Sequence, residues 1–237
     1  MKSLPNLVLG VLGKIRAGVG LLRRRSGRLL ALFPMLLVLG WVGWIALDRS
    51  GVRAGLEGIA RDYVAAQQVR EHREELMFAA KESGVDPYLL AGIMWVESSG
   101  RIDVVSSADA LGLFQLKEIT YVWRAELMGL PTPTREDMLS DAMLNARIGA
   151  NNVAWLLDNY GGDVERTLVA YNAGPGRLAQ LANEAGSWDR LAESRRGTGS
   201  PIFAYAAKVM RYREAFREDG YLDEDVDVSR TLLNTRE

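Results

Sequence analysis

The carboxyl groups of aspartate and glutamate are the best candidates for catalytic groups in this sequence. The 237-residue chain contains no cysteine and one histidine, His72, which excludes thiol catalysis, disulfides and cysteine-bound metals. Gly-x-Ser-x-Gly, His-Glu-x-x-His and a phosphate-binding glycine loop with its lysine are all missing. A serine–histidine triad, a zinc site or a nucleotide site is therefore not indicated. We predict no metal and no cofactor, and expect acid–base chemistry by an aspartate or a glutamate.

Glu97 is the carboxylate whose surroundings best favour such chemistry. It follows the segment YLLAGIMWV, which is apolar on nearly every side and is therefore typical of a helix in the middle of a core. Burial, the negative end of the helix dipole and the neighbouring Trp95 should all raise the pKa of the Glu97 carboxyl. A carboxyl group that stays protonated near neutral pH can donate a proton to a glycosidic oxygen. The competing interpretation is an exposed glutamate at a frayed helix end.

Further motifs surround Glu97 at fixed spacing. They are, in chain order, Glu97-Ser98, Ser106, the run GLFQ ending at Gln115, the run AYNAGPG with Tyr171 and Asn172, and the run YAAKV beginning at Tyr205. In this order and spacing they resemble the family 1 lytic transglycosylases, whose catalytic domain is lysozyme-like. Phe114 stands at a usual methionine and Asp109 at a frequent glycine, and these departures bear on subsite preference more than on catalysis.

The resemblance implies a reaction and a role for each matching residue. The substrate would be the glycan strand of peptidoglycan, cut between N-acetylmuramic acid and N-acetylglucosamine with closure of a 1,6-anhydro ring. Glu97 would act first as acid and then as base. The substrate-binding residues would be Ser106, Gln115, Tyr171, Asn172 and Tyr205. Several of these also have plain structural interpretations: a loop serine for Ser106, a backbone cap for Gln115 and a core tyrosine for Tyr171.

Three alternatives remain open at this point. A lysozyme-type hydrolase would need a second carboxylate near Glu97, and Asp103 and Asp109 are the nearest in sequence; we interpret both as loop residues. A non-catalytic scaffold could bind the wall without cutting it. A dedicated assembly factor could cut the wall for an envelope machine, which would add a protein partner. Trp123 and Trp188 could stack on sugar rings, although a tryptophan in a helical domain more often serves packing.

The elements that must position these residues are predicted to be helical. Strand-like alternation is nearly absent, so we predict a mostly α fold, of the α+β lysozyme-like kind that the resemblance implies. The compact domain is expected to span 69–220. Predicted helices cover 69–83, 88–99, 112–128, 141–160, 163–173 and 201–218, with a short hairpin within 100–110. Asp86-Pro87, Asp163 and Ser200-Pro201 are read as helix starts.

The N-terminal part predicts a membrane anchor. Residues 29–47 carry no charge and would span roughly 28 Å as a helix, close to the bilayer core. Cations crowd residues 1–28, which the positive-inside rule places in the cytoplasm. We therefore expect a single-pass bacterial inner-membrane protein with a stalk at 48–68, a periplasmic catalytic domain and an acidic tail at 221–237. The net charge of −1 does not favour nucleic acid as a partner.

Overall fold

The computed structural model describes Trp41 and residues 52–224. Within this part of the chain there are ten helices and one two-stranded hairpin. The helices are α1 (Val52–Glu71), α2 (Arg73–Ser83), α3 (Pro87–Ser98), α4 (Glu118–Leu127), α5 (Arg135–Ser140), α6 (Ala142–Asn159), α7 (Val164–Ala173), α8 (Pro175–Ala185), α9 (Trp188–Arg195) and α10 (Pro201–Glu218). The strands are β1 (Ala110–Leu111) and β2 (Leu116–Lys117), which pair antiparallel. The mostly α class is confirmed.

No helix among the described residues is long and apolar enough to cross a membrane. Apart from Trp41, the predicted anchor at 29–47 lies outside the described residues, as does most of the predicted acidic tail. The chain separates into two compact units, of which the second begins at Ile59 and contains every predicted site residue.

Helix α3 forms the centre of the second unit. Asp86 accepts a hydrogen bond from the amide of Tyr88, and Pro87 occupies the first turn, as a helix start requires. From Leu89 to Trp95 every residue is buried, which explains why the sequence shows no polar face there. The helix ends at Ser99, whose backbone is left-handed with φ of 57°.

Helix α10 packs closely against α3. A side chain at Gly92 would place its Cβ 3.0 Å from the backbone oxygen of Val209, so the glycine allows the two backbones to approach. At the start of α3, Arg213 donates to Asp86 over 2.6 Å. Trp95, which we expected to form a wall beside Glu97, instead packs against Tyr212 and Phe216 of α10.

The hairpin lies where we predicted the start of a helix. Residues 112–117 are not helical, and α4 begins only at Glu118. The reason is local, because Gly112 and Gln115 both have left-handed backbones, with φ of 71° and 46°, and such residues cannot continue a right-handed helix. The expected hairpin within 100–110 therefore falls later along the chain, although Val105 does form an isolated bridge with Leu111.

Three short helices were missed. Helix α5 begins with a capping box, in which Thr134 and Asp137 bond each other's backbone amides. We interpreted Gly174-Pro175-Gly176 only as a stop. Gly174 both ends α7 and begins α8, with Pro175 at the first position of the new helix. Helix α9 follows with Ser187 as its cap.

The core extends beyond both predicted domain boundaries, 69 and 220. On the N-terminal side, Ala65 and Ala66 of α1 are buried. On the C-terminal side, the ring of Tyr221 stacks on Phe216 with centroids 4.2 Å apart. Arg70 donates to the backbone oxygens of residues 221, 223 and 224. The end of α1 therefore holds the first residues after α10 in place.

Candidate active site

Glu97 lies in the wall of a cavity of about 490 Å³, within the range of roughly 300–1,000 Å³ that small-molecule sites occupy. The same cavity is lined by Ser106, Gln115, Tyr171 and Asn172. These residues come from α3, the loop before β1, the hairpin turn and the end of α7. Five of the six predicted site residues are thus brought together, although they are spread over more than seventy positions of the sequence.

Tyr205, the sixth residue, reaches Glu97 from α10. Its hydroxyl donates a hydrogen bond of 2.6 Å to Oε1 of Glu97. Burial raises the pKa of the Glu97 carboxyl to about 7, although the bond from Tyr205 favours the ionised form and opposes part of that rise. With a pKa near neutral, the carboxyl is able both to give and to take a proton.

Tyr171 holds the hairpin turn in place. Its ring lines the cavity, while its buried hydroxyl donates a hydrogen bond of 2.6 Å to the backbone oxygen of Phe114. Burial, followed by the negative charge of Glu97, raises the pKa of Tyr171. Tyr171 therefore stays neutral and serves the site through its ring and through its bond to the turn.

Ser106 and Gln115 shape the loop around the hairpin as well as the cavity. The hydroxyl oxygen of Ser106 accepts hydrogen bonds from the amides of Ala108 and Ala110. The side-chain nitrogen of Gln115 donates to the backbone oxygens of Val104 and Gly112. Both amide hydrogens of Gln115 are thereby used, so its carbonyl oxygen is the group that can accept a bond from a ligand.

Asn172 differs from these residues because its side chain is exposed. It lies at the end of α7, next to Tyr171, and forms part of the cavity rim. Among the described residues it forms no hydrogen bond with Glu97, which is bound by Tyr205 instead.

Ser98 is a site residue that motif matching alone did not explain. It is buried, and its hydroxyl donates to the backbone oxygens of Met94 and Leu113 while it accepts from the amide of Gly100. It thereby joins the end of α3 to the hairpin turn. Sequence reasoning also missed part of the cavity lining, namely Lys117, Thr120, Asn152 and Trp155.

No second carboxylate accompanies Glu97 among the described residues that line the cavity. Asp103 is exposed and Asp109 is too. Asp109 instead pairs with Arg135 over 2.6 Å, and the bond to this guanidinium lowers the pKa of the Asp109 carboxyl. Both residues behave as loop residues, in agreement with our interpretation of the sequence.

The fold and the site define a mostly helical domain with one partly buried carboxyl, that of Glu97, in its cavity. Residues 75–192 match the Transglycosylase SLT domain family. This matching segment contains Glu97, Ser106, Gln115, Tyr171 and Asn172.

Related proteins include much longer ones. The chain is 29% identical over 122 residues to the soluble lytic murein transglycosylase of Escherichia coli (strain K12), covering 51% of this chain and 19% of that protein. The corresponding protein of Salmonella typhimurium (strain LT2) is 28% identical over 122 residues. The chain thus spans about a fifth of the length of these curated relatives.

Solved structures share the fold. Lytic transglycosylase Slt from Pseudomonas aeruginosa, solved as an inactive glutamate-to-glutamine mutant, superposes with a TM-score of 0.54 at 25% identity, over 66% of this chain and 25% of that one. The 70-kDa soluble lytic transglycosylase from E. coli superposes with a TM-score of 0.53 at 22% identity, over 63% of this chain and 25% of that one.

The variant Tyr205→Phe should raise the pKa of Glu97. The phenylalanine removes the hydrogen bond that favours the ionised carboxylate and leaves the burial unchanged. NMR titration of the glutamate side-chain carbons would report the pKa directly. Tyr171→Phe is the matched control, because its lost hydroxyl binds the backbone of Phe114 and not Glu97. An equal shift in both variants would contradict the assigned role of Tyr205.

The variant Glu97→Gln should make the stability of the domain less dependent on pH. Between its ordinary value of 4.5 and about 7, the carboxyl is ionised in the unfolded chain but protonated in the folded one. The free energy of unfolding therefore falls as the pH rises through this window. One pH unit corresponds to about 1.4 kcal/mol for a single carboxyl, so the free energy of unfolding decreases by at most about 3 kcal/mol across this window.

Glutamine is neutral at every pH, so the variant should not show this decrease in the free energy of unfolding. Urea denaturation should thus find Glu97→Gln more stable than the wild type at pH 8 and nearly equal to it at pH 4. A constant difference between the two proteins across this pH range would show that Glu97 is not buried in the way described.

Proposed function

We propose that the protein is a lytic transglycosylase that cleaves the β-1,4 bond between N-acetylmuramic acid and N-acetylglucosamine in peptidoglycan. The observation that supports this most strongly is Glu97, a partly buried carboxyl with a pKa of about 7 in a cavity with no second carboxylate among its described lining residues. The relatives named above carry the same activity in their names, and one of them is inactive after a glutamate-to-glutamine change.

The first step uses Glu97 as an acid. The protonated carboxyl gives its proton to the glycosidic oxygen, and the bond from that oxygen to C1 of the muramic acid breaks. The positive charge that develops at C1 is stabilised by the N-acetyl group of the same sugar. Burial favours this step because it raises the pKa of Glu97, so that a large share of the carboxyl is protonated at neutral pH.

The second step uses the resulting carboxylate as a base. Glu97 takes the proton of the C6 hydroxyl, whose oxygen then bonds to C1 and closes the 1,6-anhydro ring. The carboxyl ends the cycle protonated, so one residue completes both transfers. A hydrolase would instead use a second carboxylate to activate water or to attack C1. The exposed Asp109, bound to Arg135, does not supply one.

Tyr205 and Gln115 support these steps without transferring protons. The hydrogen bond from Tyr205 fixes the carboxyl orientation and stabilises the carboxylate after the first step. The carbonyl oxygen of Gln115 is placed to accept from an N-acetyl nitrogen or a sugar hydroxyl. Ser106 and Asn172 line the same cavity and contact the glycan there.

Digestion of purified peptidoglycan sacculi tests the activity. A fragment containing 59–237, which begins at the boundary of the second compact unit, should release muropeptides with anhydro ends, identified by mass spectrometry. Glu97→Gln should lower the rate by at least about a thousandfold, because it removes both proton transfers. Asp109→Asn is the control and should stay active. Reducing ends from the wild type would indicate a lysozyme, whereas binding to sacculi without any product would indicate a scaffold.

We further propose that a membrane segment at 29–47 tethers the domain to the periplasmic face of the inner membrane. The uncharged run and the cations that precede it support this. The full chain should sediment with membranes and resist extraction by high salt and alkali. Removal of residues 1–48 should release it, whereas Trp41→Phe should not. Release of the full chain by salt would contradict the anchor.

A further inference from the structure

Two tryptophans form one wall of the cavity that contains Glu97, and a buried arginine that does not itself line the cavity packs against both of them. Trp123 of α4 and Trp155 of α6 both line the cavity. Their rings meet edge to face, with centroids 5.1 Å apart and planes at 88°. The guanidinium of Arg124 lies 4.0 Å from the ring centre of Trp123 and 4.5 Å from that of Trp155. None of these three residues has a part in the proton transfers.

Trp123 is held in place and yet open to solvent. Its contacts with Arg124 and Trp155 restrict the ring, but 40% of its surface remains exposed. A large aromatic side chain that is fixed by two neighbours and exposed within a cavity is suited to contact a ligand. Core packing alone would not require that exposure.

Arg124 explains how the wall stays rigid. Only 3% of its surface is exposed, and one of its nitrogens donates to Asn151 over 3.3 Å. Its Nε and Nη2 atoms are buried without a hydrogen-bond partner. Leaving buried donors unbonded is costly, and the two ring contacts are the compensating interactions that the structure offers. Arg124 is therefore a positioning residue for the tryptophans.

The neighbouring lining residues are polar. Asn152 lies beside Trp155 and Thr120 lies one helical turn before Trp123, and both line the same cavity. A flat apolar face next to amide and hydroxyl groups matches a pyranose ring, which has an apolar face of C–H groups and a rim of hydroxyl and acetamido groups. A purely apolar ligand would leave the amide of Asn152 without a partner.

Trp188, in contrast to Trp123, contributes to the packing of the domain. Its ring stacks on Phe203, with centroids 5.7 Å apart and planes at 12°, and its Nε1 donates to Asp163. Trp188 does not line the cavity. Of the two tryptophans that the sequence singled out, only Trp123 can reach a ligand there.

We propose that the wall formed by Trp123 and Trp155, and supported by Arg124, is a binding subsite for an N-acetylhexosamine ring of the glycan strand. Trp123 provides the platform on which the ring stacks. Arg124 and Trp155 keep the platform upright, and Asn152 bonds the polar rim of the sugar. The identity of the strand as peptidoglycan glycan rests on the proposed function, but the chemical class of the ligand follows from the wall itself.

Binding of glycan strands freed of their stem peptides tests this subsite without cleavage. The parent protein carries Glu97→Gln, and its affinity is measured by isothermal titration calorimetry. Adding Trp123→Ala should weaken binding by about tenfold or more, as expected for an aromatic anchor. Leu127→Ala is the matched control, because Leu127 is also exposed on α4 but does not line the cavity, and it should change the affinity less than about twofold.

A second variant covers the case in which Trp123→Ala does not fold. Trp123→Leu keeps apolar bulk against Arg124 but has no flat ring, so it should also weaken binding, whereas Trp123→Tyr should restore most of it. Wild-type affinity in a folded Trp123→Leu protein, or no binding by the parent, would overturn the proposal. Strand binding that depends on Trp123, without anhydro products from sacculi, would refute the proposed activity and leave this subsite standing.

Discussion

The close contact between α3 and α10 is the constraint on which the site around Glu97 depends. Gly92 lets the backbones meet, since a Cβ there would lie 3.0 Å from the oxygen of Val209. The Asp86–Arg213 pair aligns the start of α3 with the end of α10. At the opposite end of this antiparallel pair, Tyr205 is brought within 2.6 Å of Glu97. A bulkier residue at Gly92 would separate the helices, and both the burial of the carboxyl and its hydrogen bond would be lost.

Burial alone would make Glu97 a poor base, because a carboxylate in apolar surroundings is strongly disfavoured. The phenol of Tyr205 moderates this effect by donating to the ionised form. The opposing influences leave the pKa at about 7, where neither protonation state is costly. The hairpin is fixed to the same framework, since Ser98 and Tyr171 hold the backbone of residues 113 and 114. The acid and the loop that faces the ligand are therefore positioned together.

Local signals explain what could be predicted from the sequence. Asp86-Pro87 and Asp163 predict the starts of their helices, because a capping side chain and a proline act within one helical turn. The wholly apolar run before Glu97 predicts a buried helix. The helix predicted at 112–128 was wrong only for residues 112–117, since α4 covers Glu118–Leu127, and the reason is again local. Gln115 takes φ of 46°, a conformation that its residue type does not suggest. The motif was enough to predict Tyr205 as a site residue. Its hydrogen bond to Glu97 could not be predicted, because that bond depends on how α10 packs against α3.

In the proposed reaction, proton transfer and ligand binding use different parts of the cavity. Glu97 would need dry surroundings and a single hydrogen-bond donor, whereas the glycan strand would have to be held over several sugars with its reacting bond in register. Interactions with sugars away from the reacting bond can supply that register, because binding energy gained there helps to orient the reacting centre. The rigid wall around Trp123 suits this task, since a ring restrained by Arg124 and Trp155 loses little freedom when a sugar stacks on it. The ring contacts of Arg124 thus hold the wall in place although two of its buried donors have no hydrogen-bond partner.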